Sequence, residues 1–432
     1  MSVRSTKVAR QSAKSRICPP MTGAMIGEGA PFSGFLGISS YRRSADAYRA
    51  TFTPGNYLGA LDSRQQMVFH SLAALWQRTD AEGQEQIGRL YSLSGDAGRQ
   101  ALTTLADGSS SDVASAAFAR PLVRGALAAR QSYLSHGTRI PLSLRPLRYQ
   151  GGFGSPGLVL PVEMAASSGL WLRTGRTWSE IGGTSGQGYT LSLGYDRPIS
   201  PRWMLGGLFS YSRERLSREA GRFTVRDHRL ALYGIYRNGP HDGWLTISFG
   251  RQENDGQRVF FAPLFTAANS RYHSTTVELA GRYSYDLDDG REGVWHNKPF
   301  VAADLIHYRQ SSFRETGAGV WNQSLDSAQV KYSDLQLGCS WERDFSDDGF
   351  VTFDVGWKGI LSGHAPDVAA HLSAAPEYSF RQQSAVDRAR FTMNLCGSKD
   401  IGSGWHLSGE AGLEKGAHDH ITSAMINLNH AW

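Results

Sequence analysis

No apolar run in this sequence approaches the roughly 18 residues that a membrane-crossing helix needs, so helical membrane proteins are excluded. Charge is also sparse: Asp, Glu, Lys and Arg make up only 19% of 432 residues, and the formal net charge is +6. Nucleic-acid binders concentrate cations in stripes interleaved with aromatics. Here the one dense basic cluster is Arg4, Lys7, Arg10, Lys14 and Arg16 in a polar N-terminus, and no nucleic-acid partner is expected. Cysteine is nearly absent: Cys18, Cys339 and Cys396 stand at neither zinc nor redox spacing. A chain so poor in cysteine is suited to crossing an oxidising compartment without being trapped by disulfides. A clean export signal is lacking too, because Glu28 and scattered glycines break the apolar character after the basic start. We expect a fragment or a mis-assigned start.

The motifs of common enzymes are missing as well. GTSGQG offers Gly183, Ser185 and Gly188 at the wrong spacing for a nucleophile elbow. No glycine-rich run is followed by Lys-Ser/Thr, so no phosphate loop is supported and no cofactor is expected. His418, Asp419 and His420, and separately His364, Asp367 and His371, have metal-ligand side chains. Neither set comes with an identifiable further ligand, and both read better as solvated loop segments than as metal sites.

Present instead are 49 glycines and 11% aromatics, a balance that favours sheet over helix bundle. The mean hydropathy of −0.36 does not argue against a membrane, since barrel strands turn only every second residue to lipid.

Three regions follow along the chain. Residues 1–57 show no sustained period and read as irregular, or as the remnant of a larger N-terminal segment. Residues 58–135 are helical: Ser63 and Gln66 form a capping box ahead of Met67, Val68, Leu72, Leu75 and Trp76 at helical spacing, and Thr79 and Glu82 form a second. A further helix is expected through DVASAAFARPLVRGALAAR, where alanine and glycine dominate and Arg120, Arg124 and Arg130 interrupt. It reads either as an alanine-rich surface helix or as a slender basic helix able to lie in a narrow polar channel. Prolines and glycines make 136–168 an extended linker, so that the helical linker and extended segment span 58–168.

From residue 169 to Trp432 the period is two. Tyr189, Leu191, Leu193 and Tyr195 alternate with small or polar residues, as do Val351, Phe353, Val355 and Trp357, and finally Ile426, Leu428, His430 and Trp432. About twelve strands are expected. Alternate connections such as RPISP, RNGPHDG and SKDIGSG are short, and the intervening ones mostly longer. Short turns at one end and long loops at the other mark an all-β transmembrane barrel of antiparallel strands, closed because unpaired amides in lipid cost several kcal/mol each. Cys339 should face lipid and Cys396 the interior, two strands apart, roughly 10 Å, too far to bridge.

IGRLYSLSGDAGRQALTTL, GLWLRTGRTWSEI with GYTLSLGYDRPISPRWMLGGLFSYS, and the terminal INLNHAW together resemble the C-terminal translocator of autotransporters (type V secretion), over about 60–432. His430 stands where that family more usually has an aromatic. The resemblance implies a Gram-negative outer-membrane barrel that carries an N-terminal passenger to the cell surface, with a linker helix in its lumen. It also implies a terminal strand, Ile426, Leu428, His430 and Trp432, read by the barrel-assembly machinery with periplasmic chaperones. The helix arginines would seek acidic groups on the inner wall; Asp227, Asp304 and Glu410 are candidates. The alternatives are a porin, or a barrel enzyme of the lipase or protease kind.

Overall fold

The computed structural model describes residues 36–44, 47–54, 61–91, 93, 95–106, 122–136 and, apart from short gaps, 169–431. Two strands, β1 (Leu36–Ser44) and β2 (Ala47–Pro54), pair as an antiparallel hairpin. This corrects the expectation of irregular chain through residue 57: Tyr41, Tyr48, Thr51, Phe52 and Thr53 favour strands without a strict alternation to betray them.

Residues 169–431 supply a closed antiparallel barrel of twelve strands: β3 (Gly169–Ile181), β4 (Thr184–Ser200), β5 (Trp203–Arg218), β6 (Gly221–Asn238), β7 (His241–Phe260), β8 (Thr266–Tyr285), β9 (His296–Gln310), β12 (Ala328–Asp344), β13 (Gly349–Ser362), β16 (Ala389–Gly402), β17 (Trp405–Lys415) and β18 (His420–Ala431). The seam joins last strand to first, with Leu428 opposite Leu172 and Ala431 opposite Gly169. Each expected strand is present, and the expected short turns lie at the end where β3 starts and β18 finishes.

The alternation has the predicted meaning. Leu232, Leu245 and Trp357 are 68%, 57% and 58% exposed, far too open for a soluble core, and all lie on the outer wall. On β5 the outward apolar stretch runs from Trp203 through Leu205 and Phe209 to Tyr211, after which Arg213 follows. That is the length a tilted strand needs to cross hydrocarbon.

The loop end is more ordered than expected. β7 runs on through Asn254, Asp255 and Gly256 to Phe260, although that run reads as the start of a long loop in sequence. It remains a strand because β6 and β8 pair with it on both sides. Four short strands, β10 (Phe313–Arg314), β11 (Gln323–Leu325), β14 (Asp367–Leu372) and β15 (Ser379–Gln383), form a separate sheet from two long loops.

Against this sheet pack three helices: α1 (Ser63–Arg78), α2 (Ala81–Tyr91) and α3 (Gly95–Ala106). Their stripes, Val68, Leu72 and Leu75, then Ile87 and Leu90, then Leu102 and Leu105, are fully buried against Trp321, Leu325, Val368, Leu372 and Phe380. Leu105 at the end of α3 has its carbonyl capped by Gln323, and Arg258 reaches the Thr104 carbonyl at 3.3 Å. These bonds satisfy carbonyls that a helix terminus leaves unpaired.

The helix starts need correction. Asp62, not Ser63, caps α1, accepting from the Gln65 amide at 2.8 Å while the Gln65 side chain answers at 2.9 Å. Asp80, not Thr79, accepts from the Gly83 amide ahead of α2. A carboxylate accepts the orphan amides and also complements the positive helix end.

Candidate functional site: a helix inside the barrel lumen

The inner wall is built in two halves. On one half, Trp171, Met204, Leu208, Tyr233, Ile235 and Trp244 form an apolar patch across β3, β5, β6 and β7. This departs from the expectation of a small or polar inner face. Small residues make room for it: a β-carbon at Gly194, directly opposite Trp171, would lie 2.2 Å from the indole ring, and one at Gly206 would strike the Tyr233 ring opposite it. The other half carries charge, with Asp304 on β9, Asp334 on β12 and Lys358 on β13 all buried.

A fourth helix, α4 (Leu122–His136), lies between the two halves. Val123, Ala126, Leu127 and Leu134 face the apolar patch. The described helix begins at Leu122; residues 107–121, with Arg120 and the first part of the alanine run, lie outside the described residues. The extended segment expected over 136–168 also falls almost wholly outside them. Gly125 lets the helix approach the wall: a β-carbon there would come 3.1 Å from the Arg173 guanidinium. A cavity of about 150 Å³ remains beside Gly125 and Ala128, bordered by Arg173, Arg282 and Glu410.

Both described helix arginines find carboxylates. Arg124 donates to Asp304 at 2.6 Å and lies 3.7 Å from Asp334, which Lys358 also approaches at 3.3 Å. Arg130 makes a two-pronged bond to Asp196, 2.8 Å through Nε and 2.6 Å through Nη2, and donates to Asn429 at 3.0 Å. Asp196 accepts a third bond from the Tyr233 hydroxyl at 2.7 Å, and Tyr233 in turn accepts from the Trp171 indole at 2.9 Å. The helix is thus tied to the wall on both sides by charge-assisted bonds.

Of the acidic candidates, Asp304 meets the helix as expected. Asp227 and Glu410 do not: Asp227 pairs with Arg229 at 3.0 Å and Glu410 with Arg173 at 3.0 Å, both arginines of the wall itself. Asp196 and Asp334 were missed. Strand parity points both inward, but Asp196 stands at the end of its expected strand, next to the RPISP turn.

The remaining candidates lie elsewhere. Ile426, Leu428 and His430 face outward on β18, the His430 ring tilted against Trp405 with ring centres 4.4 Å apart; Trp432 is outside the described residues. His418 is exposed at the loop-end rim near Asp387. Asp419 is buried and joins three loops, accepting from the Gly182 amide, the Asp387 amide and Arg390. His420 lies 3.7 Å from Glu180. Asp367 pairs with Arg381, and His371 lies within β14. Cys339 faces outward and Cys396 inward, and both are free thiols.

A family model described as the autotransporter beta-domain matches residues 169–412. The translocator domain of the autotransporter NalP from Neisseria meningitidis is similar in structure, with TM-score 0.53 and 13% identity over 62% of this chain and 89% of that one. Esterase EstA of Pseudomonas aeruginosa is 21% identical over 252 residues, 56% of this chain. The chain spans 38% of the length of that relative. Matched over more than half its length and closed into the same kind of barrel, the chain belongs to the autotransporter beta-domain family, whose barrel sits in the outer membrane.

Proposed function

We propose that α4 is the stationary remnant of export: the passenger leaves through the lumen toward the loop end, and the helix stays behind as a plug. The observation that carries this is the pairing of Arg124 and Arg130 with wall carboxylates from inside a closed barrel. Burying a guanidinium is costly unless it is paired, so the wall selects this segment over a passing polypeptide that lacks the arginines.

On this reading the loop end faces the cell exterior and carries the passenger outward, whereas the short turns face the periplasm. There periplasmic chaperones escort the unfolded chain, and the barrel-assembly machinery reads Ile426, Leu428, His430 and Trp432 at the free edge of β18 before β3 closes on it. We read the barrel itself as non-enzymatic: lumenal hydroxyls such as Ser192 and Ser210 bond each other, at 2.9 Å, rather than a histidine base.

The test is an epitope placed ahead of Leu36, behind a cleavable export signal. Protease added to intact cells should remove the epitope and leave a barrel fragment that migrates faster unheated than heated. An epitope that stays protected while the barrel is folded in the membrane would refute the outward route.

A further inference from the structure

The outer wall changes character abruptly at the loop end, most densely on one flank. Just beyond the last outward apolar residue, β5 presents Arg213 and Arg215, β7 Arg251, β9 Arg309 and β12 Lys331. The strand register places them in one band. Arg213 is opposite Arg226, His228 opposite Arg251, Thr275 opposite Arg309, and His307 opposite Lys331. Like charges set directly opposite on a sheet repel. Two carboxylates, Glu253 and Asp255, lie within the band, and Arg226 and Arg271 take Asp255 at 2.6 and 2.7 Å. Among the described residues, Arg213, Arg215, Arg251, Arg309 and Lys331 have no carboxylate in ion-pair range. The Arg213 Nε is buried without a hydrogen-bond partner.

The far side of the barrel carries fewer cations. There the outward residues at the same end include Leu361, Phe391 and Thr422, with two cations, Lys415 and Arg176, among them. An arginine on the lipid face costs about 2–4 kcal/mol at mid-bilayer and close to nothing at the interface, so this band fixes the height of the headgroups. Neighbouring cations on it stand a strand or two apart, roughly 5–10 Å, a spacing that suits a headgroup bearing more than one phosphate.

We propose that the outer wall of β5 to β9 and β12 is a binding site for a phosphorylated glycolipid of the outer leaflet. Arg213, Arg251 and Arg309 hold the phosphates, and the apolar wall beneath them (Phe209, Leu230, Phe249 and Leu305) holds the acyl chains. Planar guanidinium forks match phosphate oxygens two at a time. The inference rests on the loop end facing outward. Binding to folded barrel in detergent does not depend on which way the protein was inserted, so failure of the site and failure of the orientation are separately visible.

The experiment is native mass spectrometry of the full chain, folded in detergent, titrated with bisphosphorylated lipid A, with dephosphorylated lipid A, and with inorganic pyrophosphate alone. Bisphosphorylated lipid should bind as a discrete adduct that salt weakens. Arg213→Gln/Arg251→Gln/Arg309→Gln should bind it on the order of a hundred-fold more weakly, taking about five-fold per charge at a membrane surface. Arg197→Gln, at the opposite end of the wall, should bind as the parent does. Equal binding of dephosphorylated lipid would overturn the proposal, and this comparison needs no variant, so it stands even if the triple variant does not fold. Tight binding of pyrophosphate alone would overturn the lipid assignment, and an unaffected triple variant would overturn the site.

Discussion

Asp196 receives two bonds from the Arg130 guanidinium and one from the Tyr233 hydroxyl, at a position closed to solvent. Removing one partner of such a pair is worse than never having had it, because the other charge is left stranded. Asp196→Ala should therefore destabilise the plugged barrel by about 3–5 kcal/mol, read as a lower midpoint for loss of the fast-migrating form on heating. Asp196→Asn, which keeps two acceptor lone pairs and the shape, should lose less. Equal midpoints for parent and Asp196→Ala would show that α4 is not held through Arg130. Sequence made some of this site visible. Parity placed Asp304 on the inner wall and spacing marked Arg124 and Arg130 as unusual in an alanine-rich helix. It did not settle pairing, since Arg229 lies two residues from Asp227 on the same face of one strand and claims it first. Glu410 is claimed in the same way by Arg173, and that contact crosses from β17 to β3 past the β18 seam, a proximity that only barrel closure creates.

Helices α1 to α3 pose a question of which force wins at the loop end. The ion pair Arg78–Glu377, 2.8 Å long, links α1 to a loop. The backbone amide of Glu377 and then Arg78 hold its carboxyl below the ordinary glutamate value. Its contribution is therefore complete above the ordinary value, near pH 4.3, and is lost as the pH falls through the lowered one. Both side chains are substantially exposed, and exposed pairs add little. Leu72, by contrast, has no exposure at all and sits at the centre of the apolar contact. Leu72→Ala should loosen the cap by about 2–5 kcal/mol, seen as faster amide exchange across 63–106, whereas Glu377→Gln should leave exchange nearly unchanged. The reverse ranking would mean that charge rather than burial seats the helices. Their helical period was plain in the sequence. Their docking was not, because the surface they cover is assembled from residues more than 200 positions later in the chain, such as Trp321 and Phe380, which alternate too briefly to announce a sheet.

At the scale of the whole molecule the lumen holds α4, and we expect α1 to α3 to close it a second time at the loop end. The helices α1 to α3 pack over the tips of β7, β8 and β12 through Phe260, Ala268 and Ala328, and α4 fills the half nearer the short turns. A barrel of twelve strands lies between the filled eight-strand and open sixteen-strand cases, and a helix with its side chains is about 10–12 Å across, so each obstruction is of the right size to block flow alone. Two blocks in series give a distinctive outcome in planar-bilayer conductance. Deleting 122–136 should raise conductance only modestly while the cap stays seated, and deleting 61–106 should change it little while α4 remains. Deleting both should open the pore by roughly ten-fold or more, a non-additive rise of the kind that coupled sites produce. If removing 122–136 alone opened the pore fully, the cap would be an appendage on the rim and not a second closure. If the double deletion stayed closed, the residual wall side chains, among them Trp171, Arg173 and Trp244, would have to collapse into the vacated space. The rigid cross-strand seating of Trp171 over Gly194 argues against that.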